Sequence, residues 1–79
     1  MNNNNEISYE IQKCFGVIDI SHNNWRKELN LVSWNDNPAK FDIRDWDKCH
    51  RKMSRGITLT ELQAKKLFEI LKSIFESDE

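Results

Sequence analysis

The sequence predicts an α+β domain: a four-stranded antiparallel β-sheet followed by one long C-terminal α-helix, with two copies pairing through their helices as a homodimer. Three observations lead there. Four segments before residue 47 alternate apolar and polar side chains, the period of a strand with one buried face. Short connections rich in Ser, Asn, Asp and Pro join them, as in an antiparallel meander. After Thr60 the apolar period lengthens to that of a helix.

Ile7, Tyr9 and Ile11 alternate with Ser8, Glu10 and Gln12, which predicts a first strand over 7–12. A second covers 16–20 and ends in the turn-prone run Ser21-His22-Asn23-Asn24. The third spans 25–34, with Leu29 and Leu31 on one side and Glu28, Asn30, Val32 and Trp34 on the other. Asn35-Asp36-Asn37-Pro38 then forms a turn, because Asn and Asp tolerate left-handed backbone and Pro fixes its own φ. The fourth strand covers 41–46, with Phe41 and Ile43 on its apolar face and Asp42, Arg44 and Trp46 on its outer face. Residues 50–55 read as a basic loop with Gly56 as its hinge.

Thr60-Glu61-Leu62-Gln63 fits a capping box that opens the helix. Leu67, Phe68, Ile70, Leu71, Ile74 and Phe75 recur at helical spacing to about residue 76. That stripe is wide for one helix beside one small sheet. One side is expected to cover the sheet's apolar face. Leu67, Ile70, Leu71, Ile74 and Phe75 are then expected to meet a second copy, the cheapest additional surface.

A chain of 79 residues holds one domain, expected over 6–76 and near the size at which oligomerisation helps a fold persist. The asparagine run places a disordered tail at 1–5, and 77–79 form an acidic end. Cys14 and Cys49 are too few for a disulfide scaffold. With no basic and apolar leader and no bilayer-length apolar run, the cytoplasm is the expected compartment.

The net charge of −1, taken alone, argues against a polyanionic partner. Its distribution reverses that. Residues 1–24 and 56–79 each carry −2. Residues 25–55 hold Arg26, Lys27, Lys40, Arg44, Lys48, Arg51, Lys52 and Arg55 against five acids, a local +3. Trp25, Trp34 and Trp46, the three tryptophans, lie in the same segment. Cations that track phosphate and flat rings on which unpaired bases stack are what a single-strand binder needs. Pairing the third and fourth strands puts Glu28, Asn30 and Trp34 on the side of Asp42, Arg44 and Trp46. A solvated charged face with Arg44 paired to Glu28 is the plainer alternative. The parity of Trp25 and Lys27 places them on the side of Leu29 unless a bulge intervenes.

Other chemistries find little support. Cys49 and His50 are adjacent while Cys14 and His22 are distant, so no closely spaced ligand pairs exist for a metal. Adjacent residues on an extended chain point apart, which disfavours Cys49–His50 as a nucleophile and base. Asp42, Asp45 and Asp47 are interleaved with Arg44 and Lys48, a pattern of ion pairs more than of paired catalytic acids. The chain has two glycines and no phosphate loop. Neither enzymatic activity nor a cofactor is expected. A dimeric adaptor that docks a polypeptide, such as a polymerase subunit, is the competing reading, and a translation-associated or structured-RNA factor a further one.

Residues 40–46 (Lys-Phe-Asp-Ile-Arg-Asp-Trp), followed by a basic loop and by Arg55-Gly56-Ile57-Thr58-Leu59-Thr60, resemble the positive cofactor four family of transcriptional coactivators. With Trp25-Arg26-Lys27-Glu28-Leu29-Asn30-Leu31-Val32-Ser33-Trp34 ahead of them, they are most similar to its short bacterial branch. The resemblance spans roughly residues 7–72. It implies sheets that form adjoining concave surfaces in a helix-paired dimer and bind single-stranded or unwound DNA with little sequence preference. It implies Arg44 on the binding face, Lys13 as a first-strand lysine, Lys52 in the basic loop and Arg55 before the glycine. Trp46 ends the fourth strand where the family has an aromatic. Eukaryotic members carry their stacking tryptophan one residue later, where this chain has Asp47. No counterpart of the eukaryotic serine-rich regulatory tail is present, so coactivation of a eukaryotic polymerase is not implied. The resulting expectation is single-stranded DNA, and also RNA, as partner, in transcription, replication or repair. Lys13, Lys27, Lys40, Arg44, Lys52 and Arg55 would hold phosphate, and Trp25, Trp34 and Trp46 would stack on bases.

Overall fold

The computed structural model describes residues 7–77. The tail expected over 1–5 and the last two residues of the acidic end lie outside them. Four strands run in chain order: β1 (Tyr9–Ile20), β2 (Arg26–Trp34), β3 (Lys40–Trp46) and β4 (Met53–Leu59). Each pairs antiparallel with the next, in the order β1-β2-β3-β4, and α1 (Glu61–Phe75) follows. This is the expected α+β arrangement of four strands and one helix.

Two strands are composed differently from expectation. Segments 7–12 and 16–20 belong to the single strand β1, because the irregular alternation between them is not a break. The ladder to β2 shifts register between Ile11 and Lys13, Cys14 and Gly16, and Val17 and Asp19. Each shift places an extra residue on β1 without ending the pairing. The fourth strand is instead β4, read from sequence as basic loop and helix approach. Its alternation is hidden by Arg55, Gly56 and a further register shift opposite Asp45.

The turns follow the expected chemistry. Asn35 and Asp36 take φ of 52° and 64° between β2 and β3, the left-handed pair that suits a tight hairpin. Asn24 (φ 70°) does the same work between β1 and β2, where the Ser21 amide donates to the Trp25 carbonyl at 2.8 Å.

Register divides the sheet into two faces. Leu29 and Leu31 of β2 lie beside Ile43 and Phe41 of β3, which lie beside Ile57 and Leu59 of β4. On the other face Glu28, Asn30 and Val32 lie beside Arg44, Asp42 and Lys40, and the last strand adds Gly56 and Thr58. Burial inverts what composition suggests. The polar face is the packed one, with Glu28, Asn30, Val32, Asp42 and Trp46 at 1% exposure or less. The apolar face is only half covered, and Ile57 is 58% exposed.

The helix does not cover that apolar face, contrary to the expectation for one of its sides. Only Thr60 separates β4 from α1, too short a link to fold the helix back over the sheet. Thr60 is extended (φ −70°, ψ 168°), its hydroxyl accepts from the Gln63 amide, and the Gln63 side chain accepts from the Thr60 amide at 2.9 Å. This capping box starts the helix at once and sends it outward. α1 buries none of its residues, touches β3 and β4 slightly, and lengthens the molecule to 59 Å. No helix among the described residues is long and apolar enough to cross a membrane.

Candidate nucleic-acid interface

The polar face is organised around one buried ion pair. Asp42 has no exposed surface, and Arg44 grips both its carboxylate oxygens, with Nε at 2.7 Å and Nη2 at 2.8 Å. The Thr58 hydroxyl donates to the same carboxylate at 2.9 Å. Two parallel donors on one carboxylate fix the guanidinium plane. That plane lies 4.6 Å above the Trp34 ring, a cation–π stack. Gly56 makes room for it. A Cβ there would collide with the Ile43 carbonyl and the Arg44 Cβ, and would come 2.9 Å from Arg44 Nε.

A second polar group lies beside it. Nε2 of His50 faces the two carboxylate oxygens of Glu28 at 3.0 and 3.1 Å, and the Asn30 amide donates to Glu28 at 3.0 Å. Tyr9 donates its hydroxyl to the His50 carbonyl, tying β1 to the β3–β4 loop. Its ring packs 5.3 Å from Trp46 and 5.8 Å from Trp34, while His50 packs 5.6 Å from Trp46. Trp46 is thereby enclosed. Nε1 of Trp34, Nε1 of Trp46 and Oδ1 of Asn30 are buried without a hydrogen-bond partner.

The β3–β4 loop is held by Asp47. Its carboxylate accepts from the Arg51 amide at 2.8 Å and the Lys52 amide at 2.9 Å. The Lys52 N–H is the main reason the Asp47 carboxyl sits below the usual aspartate range; the Arg51 N–H and the Lys52 and His50 charges add to it. His50 takes φ 58°, a conformation that carries its ring back over the sheet.

Several expected site residues are placed together. Trp34 and Arg44 share the polar face as predicted, and Lys40, opposite Val32, lies on it too. Lys52 is exposed in the β3–β4 loop and Arg55 at the register shift opposite Asp45, and neither has an acid partner among the described residues. The plainer alternative of Arg44 paired with Glu28 is replaced by its pairing with Asp42 along the same strand.

Others are placed apart. Trp46 shares the face with Arg44 but has no exposed surface, so it packs Tyr9 and His50 in place of presenting a ring to a base. Arg44 spends its fork on Asp42, and its side chain is 13% exposed. Lys13 pairs with Leu31 of the apolar face, its ammonium 5.4 Å from the Phe15 ring, which stacks on Phe41. Lys27 lies opposite Asp45 and forms an ion pair with it at 2.9 Å. Trp25 is half-buried just ahead of β2. Strand parity foretold the position of Lys27; the extra residue at Gln12 moved Lys13.

Sequence reasoning put Glu28 and Asn30 on this face but passed over Tyr9, His50 and Thr58 as members of the network. Thr58 lies opposite Asp42 on β4, the strand whose alternation the sequence hides. Nothing local signals the return of His50, which depends on a left-handed backbone at a histidine.

The comparisons with known proteins converge on this same stretch. A family model described as Transcriptional Coactivator p15 (PC4) matches residues 21–70, which include β2, β3, β4 and most of α1. A protein of Treponema pallidum (strain Nichols), described only as uncharacterized, is 38% identical over 71 residues, covering 90% of this chain and 84% of its own length.

Proposed function

Since the chain belongs to the transcriptional coactivator p15 (PC4) family, we propose that it binds single-stranded DNA with little sequence preference, as a homodimer, and accepts single-stranded RNA by the same contacts. The observation that carries the reading is the stack of Arg44 on Trp34, with Lys40, Lys52 and Arg55 left without an acid partner among the described residues. Lys40 on the polar face, Lys52 in the β3–β4 loop and Arg55 beside Gly56 hold the strand's phosphates. Trp34, half-buried beside Arg44, is the stacking surface. Arg44 keeps the indole in position more than it grips phosphate, and Trp46 supports the face from beneath. Homodimerisation through Leu67, Ile70, Leu71, Ile74 and Phe75 would cover apolar surface that α1 otherwise leaves to water.

Titration of a short oligothymidine, followed by tryptophan fluorescence, tests this. Binding should quench the emission. Its affinity should fall with salt, the log–log slope being about −0.7 for each phosphate neutralised. Trp34→Ala should lose about 1–3 kcal/mol of binding, the worth of one stacked base. A folded dimer that neither quenches nor binds at low salt would sink the reading. Duplex binding as tight as single-strand binding would remove stacking from the mechanism.

A further inference from the structure

We propose that a pocket lined by Ile20, Asn24, Arg26 and Lys48, where the β1–β2 turn meets the β3–β4 loop, is a further phosphate station for the bound strand. The inference rests on the single-strand reading above and extends it to residues which that reading leaves unused. The pocket joins two segments remote in sequence, the β1–β2 turn and the β3–β4 loop. Arg26 lies opposite Trp46 in register, so it emerges on the same face as Glu28 and Arg44. It is two residue steps along β2 from Glu28, about 7 Å of strand.

Neither Arg26 nor Lys48 has an acid partner among the described residues. Asp19 lies opposite Lys27 in register, and three further acids of the neighbouring segments are engaged. Glu28 is taken by His50 and Asn30, Asp45 by Lys27, and Asp47 by two backbone amides. Two uncompensated cations facing one concavity attract a dianionic or diester phosphate more strongly than either does alone. Both walls are ordered before any ligand arrives. The turn is closed by the Ser21–Trp25 and Asn24–Ser21 backbone bonds, and Asn23 spends its side chain on Ser21 and Trp25. A backbone already ordered lowers the cost of bringing the two cations to one phosphate. Ile20, 56% exposed, gives the sugar or base beside that phosphate an apolar rest. The ligand class is thus one phosphodiester of an unpaired strand, with its nucleoside against Ile20.

The test compares the salt dependence of oligothymidine binding in the full chain, Arg26→Gln/Lys48→Gln, and a control, Lys65→Gln/Lys66→Gln, that removes the same charge from the helix. Loss of one phosphate contact should make the log–log slope shallower by about 0.7 and weaken binding about fivefold at 0.1 M salt. The control should keep the slope of the unaltered chain. An unchanged slope in Arg26→Gln/Lys48→Gln overturns the station while leaving the single-strand reading intact. An equal loss in the control also overturns it, since the effect would then be overall charge. If the unaltered chain binds no oligothymidine, the single-strand reading falls and the station with it.

Discussion

At the scale of single residues, the polar face answers to burial more than to residue type. Arg44 looks in sequence like a free phosphate-binding arginine, yet its partner Asp42 has no exposure and depends on it for two of its three hydrogen bonds. Arg44→Ala would strand a buried carboxylate, so we expect a loss of about 3–5 kcal/mol of stability, measured by urea unfolding. An unchanged midpoint would return Arg44 to the ligand. Asp47 makes a different prediction. Because its carboxyl is held below the ordinary range by the Lys52 and Arg51 amides, its contribution is present above the ordinary aspartate pKa. That contribution is lost as pH falls through the lowered value. Protection of the Arg51 and Lys52 amides against exchange, relative to their intrinsic rates, should therefore fall as Asp47 is protonated in acid, and fall less in Asp47→Asn. Which polar side chains share a face was legible from alternation. Which of them are covered was not, because burial of Trp46 comes from Tyr9 and His50, distant in sequence and brought in by a bulged strand and a left-handed turn.

At the scale of elements, the helix was the most legible part of the chain, since a capping box and a 3.6-residue period are local signals. β2 and β3 were legible for the same reason. β1 and β4 were not, because bulges and a mid-strand glycine disrupt the period-two pattern. The placement of the helix was misjudged because its apolar stripe records that it meets something, without recording what. Leu67, Ile70, Leu71 and Ile74 are 37–59% exposed in the single chain. Leu71→Asp should consequently leave the fold of one chain intact and weaken homodimerisation roughly thirtyfold or more, about 2 kcal/mol, as read by sedimentation. A dimer of undiminished strength would move the interface elsewhere.

At the scale of the whole molecule, a net charge of −1 and a basic middle segment coexist because eight of the twelve cations fall within residues 25–55 while the thirteen acids are spread along the chain. The sheet then turns its polar side into the packed side and leaves its apolar side and helix open. Self-association that covers those surfaces would make thermal stability rise with protein concentration, which calorimetry at two concentrations can check. The single-residue junction at Thr60 has a further result for such a pair. With no slack between sheet and helix, two paired helices would hold two sheets at a set separation, and the second encounter along one strand would become intramolecular. Affinity should then climb abruptly once an oligonucleotide is long enough to bridge both sheets, an avidity step whose position measures the distance between them.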